Sequence, residues 1–196
     1  MRAGRMIVNN HATKAIDLLL PELERGLFDQ SWRIRLSSIQ LVGELLFKLS
    51  GISGKAEFED ENAGDEEDAA QPTNSEAAKK MLDILGRDKR DRVLASLFIL
   101  RQDSAGQVRL FSINVWKTLV ANTPRTTREI LPALMQIIIR LLASPSEELR
   151  EMVARTLGEY VSPLQILGPY KFADTFIQNV PQARRSHPGM LCASPR

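Results

Sequence analysis

The sequence predicts an all-α protein, a solenoid of about three stacked helix pairs, and three observations carry that prediction. One helical pattern occurs three times, over Trp32 to Leu46, Val108 to Val120 and Leu149 to Val161. A short polar turn precedes each occurrence, and a second apolar helix precedes each turn.

The three copies align on Arg35, Arg109 and Arg150. The apolar or small positions are Val108, Phe111, Ser112, Val115, Trp116, Leu119 and Val120 in the second copy. In the third they are Leu149, Met152, Val153, Thr156, Leu157, Tyr160 and Val161. Steps of three and one alternate, which puts every such position on a single helical face. The first copy follows with Ile34, Ser37, Ser38, Leu41, Val42, Leu45 and Leu46, where the two serines leave room for another backbone to approach. Six residues before each aligned arginine stand Asp29, Asp103 and Ser144. These short polar side chains can cap the helix that follows or accept from its first N–H groups. We read Asp29, Arg35, Asp103, Arg109, Ser144 and Arg150 as a structural ladder, each arginine bonding its own turn and the neighbouring repeat. Trp32 and Trp116 read as core residues, since both stand at helix-packing positions with no second aromatic beside them.

Taken in order, the first helix runs from Ala12 to Leu27 with Pro21 inside it, and its partner brings the pair to about residue 49. The text then changes character. Gly51 and Gly54 lead into Glu57, Glu59, Asp60 and Glu61, then Asp65, Glu66, Glu67 and Asp68, with Gln71 to Ser75 after. Such a stretch has too little apolar surface to offset a backbone ordering entropy of about 1 to 2 kcal/mol per residue. A disordered acidic insertion is therefore expected over 52–75, closed by a short helix over 76–85. The second pair is expected over 87–122, its first helix marked by Val93, Leu94, Leu97, Phe98 and Leu100. The third is expected over 126–161, with Pro132 interrupting an apolar helix from Arg128 to Ala143. Arg109 to Arg150 is 41 residues, within the roughly 40 to 47 of paired-helix repeats of the HEAT or armadillo kind. The 74 residues from Arg35 to Arg109 accommodate the insertion. A repeat domain over 1–161 is followed by an irregular tail over 162–196, where Pro163, Pro169, Pro181, Pro188 and Pro195 end the helical pattern. Met152, Tyr160 and Val161 of the last repeat then lack a following repeat to cover them, which predicts a marginally stable isolated domain.

Composition narrows the function classes. No stretch approaches the ~20 apolar residues of a membrane span, and Arg2 and Arg5 are followed by Asn9, Asn10 and His11 rather than by the apolar core of a secretory signal. A single cysteine, Cys192, excludes an internal disulfide and fits a reducing, cytoplasmic setting. His11 and His187 lie near opposite ends without a ligand partner at metal-binding spacing. Gly51 to Ala56 lacks the spacing and the preceding strand of a phosphate-binding loop. The carboxylates of the insertion have no fixed geometry for acid–base work. No enzyme is expected, and no cofactor or metal. Taking the eight acids between Glu57 and Asp68 from a net charge of +2 leaves +10 on the remainder. Cations gather at Arg87, Lys89, Arg90 and Arg92 and again at Arg125 and Arg128, the candidate partner contacts, although Asp88 and Asp91 interleave the first group. Such a framework would attract a phosphate backbone in a salt-dependent way.

Several longer motifs stand in register. Trp32 to Arg35 with Gly43 to Phe47, Ser53 to Lys55, and the run from Asp83 to Ala95 form one series. Val115 to Lys117, Ala121 to Thr126, Arg128 to Pro132 and Ala154 to Glu159 continue it. Over residues 3–159 the chain resembles the family of general control translational activators, giant HEAT-repeat proteins that work with the kinase of the alpha subunit of initiation factor two. The resemblance implies a fragment of the middle to C-terminal part of such a protein. It implies a cytoplasmic scaffold that binds ribosomes, with a contact to ribosomal RNA, and relays amino-acid starvation to the kinase. The kinase and an ATP-binding-cassette partner would be reached through other parts of the full-length protein. Two further readings use the same helices: a generic protein-binding scaffold of the transport or phosphatase type, and an RNA-binding solenoid.

Overall fold

The computed structural model describes residues 2–52 and 74–164, with eight helices among them and no strand. The acidic stretch over 53–73, the tail from residue 165 with His187 and Cys192, and the side chains of His11, Tyr160 and Val161 lie outside the described residues. The helices are α1 Arg2–Gly26, α2 Trp32–Ser50, α3 Asn74–Leu85, α4 Arg87–Leu100, α5 Gly106–Leu119, α6 Thr123–Glu129, α7 Leu131–Leu142 and α8 Glu147–Leu164.

Local chemistry accounts for most of the boundaries. Gly51 adopts a left-handed φ of 74°, and Gly51 and Ile52 donate back to the carbonyls of Lys48 and Phe47, closing α2. Gly86, at φ 73°, turns α3 directly into α4 with open space where a Cβ would stand. Asn122 caps α6 by accepting from the Arg125 N–H, and Pro124 occupies the first turn, where no donor is needed. Three boundaries differ from the expected ones. Helix α1 begins at Arg2 rather than at residue 12, because Asn9, Asn10 and His11 are polar without being helix breakers. Pro132 does not interrupt a helix; it sits in the first turn of α7, and Thr123–Glu129 forms a separate helix before it. Helix α8 continues to Leu164, past the Ser162–Pro163 pair.

Helices α1 and α2, α4 and α5, and α7 and α8 pack as pairs, and the pairs join through α2 on α5 and α4 on α7. The helix that closes the insertion, α3, packs against α2, α4 and α5. Helix α4 is consequently enclosed, and its residues from Val93 to Leu100 are all buried. One continuous core runs from Ile16 to Val153. Helices α2 and α5 approach closely at Gly43, where a Cβ would lie 3.0 Å from carbons of Phe111 and of Val115. Ser38 fills the space beside Gly26, so of the two small residues of the first copy Ser38 admits neighbouring backbone. Two expectations about packing fail. Trp32, the first residue of α2, is 39% exposed, whereas Trp116 is buried. Met152 is 2% exposed and belongs to the core.

Candidate functional site

The three polar turns have one geometry. Asp29 Oδ1 accepts from the Ser31 N–H at 2.8 Å, Asp103 Oδ1 from Ala105 at 2.8 Å, and Ser144 Oγ from Ser146 at 3.2 Å. These side chains therefore shape the turn two residues ahead and do not cap the helix itself. The aligned arginine closes each turn from the other side. Arg35 Nη1 donates to the Asp29 carbonyl at 2.9 Å, Arg109 Nη1 to that of Asp103 at 2.7 Å, and Arg150 Nη1 to that of Ser144 at 2.7 Å. Each guanidinium also reaches the next carbonyl, of Gln30, Ser104 or Pro145.

Between repeats the three arginines differ. Arg35, 1% exposed, makes a two-point contact with the fully buried Asp103, Nε to Oδ2 at 2.8 Å and Nη2 to Oδ1 at 2.9 Å. Its Nη2 also donates to Glu148 of the third pair at 2.5 Å, and the Ser104 hydroxyl donates to the same carboxylate. One guanidinium thus ties all three helix pairs together. Arg109 forms no ion pair among the described residues, and the residue of the third turn equivalent to Asp103 is the uncharged Ser144. Among the described residues the expected ladder therefore has a single inter-repeat rung, at Arg35.

Burial opposes the charge on Arg35, but the bonds and charges of Asp103 and then Glu148 outweigh it and raise its pKa. The bond from Ser104, followed by the bond and charge of Arg35, holds Glu148 below the ordinary carboxylate range against burial. The bond from Arg125 and the charge of Arg90 do the same for Glu129. An acid with a lower pKa in the folded chain stabilises the fold above its unfolded pKa, and that contribution is lost as pH falls through the folded value. The double variant E129Q/E148Q is thus expected to be less stable than the parent at neutral pH, by on the order of 1 kcal/mol for these half-exposed groups. The gap should close below about pH 4. Urea midpoints across a pH series measure it, and a gap independent of pH would overturn the assignment.

The two cationic groups are brought close by α4 and α6 but are largely engaged. Arg90, expected as a partner contact, has 13% of its side chain exposed and donates to Asp91 at 2.8 Å and to Glu129 at 3.2 Å. Its guanidinium is thus already paired on two sides. Lys89 pairs with Asp17 at 2.6 Å and Arg92 with Glu24 at 3.3 Å, both on α1. These carboxylates are more than 60 residues away in the chain, so sequence spacing could not have paired them. Arg125 bonds Glu129 at 3.0 Å yet keeps 79% of its side chain exposed. Arg87 and Arg128 are exposed and form no ion pair among the described residues. A groove of about 550 Å³ lies between α3, α4 and α6, with Arg87, Arg90 and Arg125 in its lining.

A second, residue-level feature escaped the sequence reading. The Arg101 guanidinium stacks 4.7 Å from the Phe98 ring and 5.5 Å from that of Trp116, and bonds Glu159 of α8 at 2.5 Å. Among the described residues no group of three or more His, Cys, Asp or Glu could hold a metal ion, and no helix is long and apolar enough to cross a membrane.

The HEAT repeat family model matches residues 19–49, the end of α1 and nearly all of α2. The chain is 53% identical over 161 residues to the Saccharomyces cerevisiae protein named eIF-2-alpha kinase activator GCN1. It is 46% identical over 164 residues to the Homo sapiens protein named Stalled ribosome sensor GCN1, and 49% over 162 residues to Protein ILITYHIA of Arabidopsis thaliana. These matches cover 82, 84 and 83% of the chain and 6% of each relative. No solved structure matches.

Proposed function

Since this chain belongs to the GCN1 family, of whose members it spans 6% of the length, we propose that it is a non-enzymatic scaffold segment of a cytoplasmic translational activator that binds ribosomes. In this reading its full-length counterpart promotes activation of the initiation factor two alpha kinase during amino-acid starvation. The pairs α1–α2, α4–α5 and α7–α8 are its repeat units. The observation that carries the proposal is the 53% identity, over 161 residues, to a relative named as a kinase activator. Rigidity supports it as well. Arg35 locks three units at one buried node, and a scaffold presents partners at set positions only if its units keep their angles.

The contacts follow from which cations are left over. Arg87, Arg125 and Arg128 stand exposed, with Lys89 and Arg92 at the margin because α1 already neutralises them. Arg90 is engaged by Asp91 and Glu129 and is the least available of the six. Reversing Arg87, Arg125 and Arg128 to glutamate is expected to lower co-sedimentation with ribosomes by about tenfold at moderate salt, with helical content unchanged. Parent binding should also weaken steeply as salt rises. Co-sedimentation unaffected by the reversal and flat across the salt series would remove these residues from the interface.

A further inference from the structure

We propose that the groove between α3, α4 and α6 docks an acidic segment of a partner protein, one that carries an apolar side chain among its carboxylates. This names the class of partner for the scaffold reading above and rests on it. The groove, about 550 Å³, is of a size that accepts a large side chain with its flanking backbone. Its floor is apolar, formed by Met81 and Leu82 of α3, Leu94 of α4 and Val120 of the turn after α5. Its rim is cationic.

Four cations line it, Lys79, Arg87, Arg90 and Arg125, against two carboxylates, Asp91 and Glu129. Both carboxylates are occupied by Arg90, and Glu129 is shared with Arg125. Lys79 and Arg87 are exposed and without an ion pair among the described residues, and Arg125 projects most of its side chain outward. The surplus positive charge therefore sits around an apolar floor, the complement of an acidic segment with an apolar anchor. Single-stranded RNA fits less well, because its binding sites pair cations with aromatic platforms for the bases, and among the described residues no aromatic side chain lines this groove.

The test titrates the full chain, followed by fluorescence anisotropy, with a labelled glutamate-rich peptide bearing a central Leu-Phe pair and separately with a single-stranded RNA oligonucleotide. The peptide is expected to bind. Its affinity should fall about tenfold in R87E/R125E and by a smaller factor in K79E, and should be unchanged in K48E, which alters an exposed lysine of α2 outside the groove. Circular dichroism checks the fold of the double variant, and should that variant unfold, the smaller loss in K79E against none in K48E carries the test. Preferential binding of RNA with the same dependence on Arg87 and Arg125 would overturn the proposal, as would no binding of the peptide. Peptide binding that emerges only after the eight acids between Glu57 and Asp68 are neutralised would assign the groove to the chain's own acidic stretch and overturn a partner in trans. Loss of ribosome co-sedimentation without peptide binding defeats this inference alone, whereas peptide binding with undiminished co-sedimentation of the reversed chain defeats the ribosomal contact.

Discussion

Replacing Arg35 with alanine is expected to destabilise the protein by about 3 to 5 kcal/mol, because it leaves a buried carboxylate without its counter-charge. Asp103 is fully buried and would keep its bond from the Ala105 N–H while losing both bonds from the guanidinium. The same change frees the Asp29 and Gln30 carbonyls and releases Glu148 of the third pair. Arg109 supplies an internal control. It clamps its own turn through the equivalent carbonyls, those of Asp103 and Ser104, but holds no buried acid, so R109A is expected to cost only about 1 kcal/mol. The combination R35M/D103L should recover much of the loss, since removing both charges also removes the cost of desolvating them. Urea unfolding with unchanged slopes measures all three variants. Equal losses in R35A and R109A would show that the turn clamp, not the buried pair, supplies the stability.

Trp116→Ala is the second large effect, about 3 to 5 kcal/mol, from the cavity left by a buried aromatic. Trp116 meets Phe98 edge-on at 5.4 Å and 62°, lies under the Arg101 guanidinium, and donates through Nε1 to the Thr123 hydroxyl at 3.0 Å. Arg101 and Gln102 in turn hold Glu159 of α8, at 2.5 and 2.6 Å. The indole thus supports the junction of the second and third pairs. Trp116→Phe keeps the ring stack and loses the bond to Thr123, so it is expected to cost nearer 1 to 2 kcal/mol. Thermal unfolding followed by far-ultraviolet circular dichroism separates the two variants. A W116A melt within a degree or two of the parent would contradict the assignment of Trp116 to this junction.

The pattern of the three helices was legible because a helix that buries one face must repeat its apolar residues every three or four positions. Val108, Val115 and Trp116 are buried where that period places them. Ile34 has the same period and is 47% exposed. Periodicity identifies a face but not whether a neighbour covers it. The aligned arginines were legible as a set for a related reason, since a fixed spacing to a polar turn is a local property. What each arginine meets in the next unit is not local. Arg35 finds an aspartate and a glutamate there, whereas the bonds of Arg109 go to the carbonyls of its own turn.

The same division runs through the candidate partner site. Clusters such as Arg87 to Arg92 are visible as charge along the chain, but charge available to a partner is what remains after the fold has paired it. Asp17 and Glu24 of α1 reach Lys89 and Arg92, and Glu129 of α6 reaches Arg90. The sequence by itself therefore determined the helical class, the repeat period and the family, because each is written in short-range spacing and in runs of identical residues. Only the tertiary structure decided which cations are left exposed, that Arg35 reaches all three units and where an apolar groove opens beneath a charged rim. Those depend on contacts between residues tens of positions apart, where burial and counter-charge change what a side chain can do.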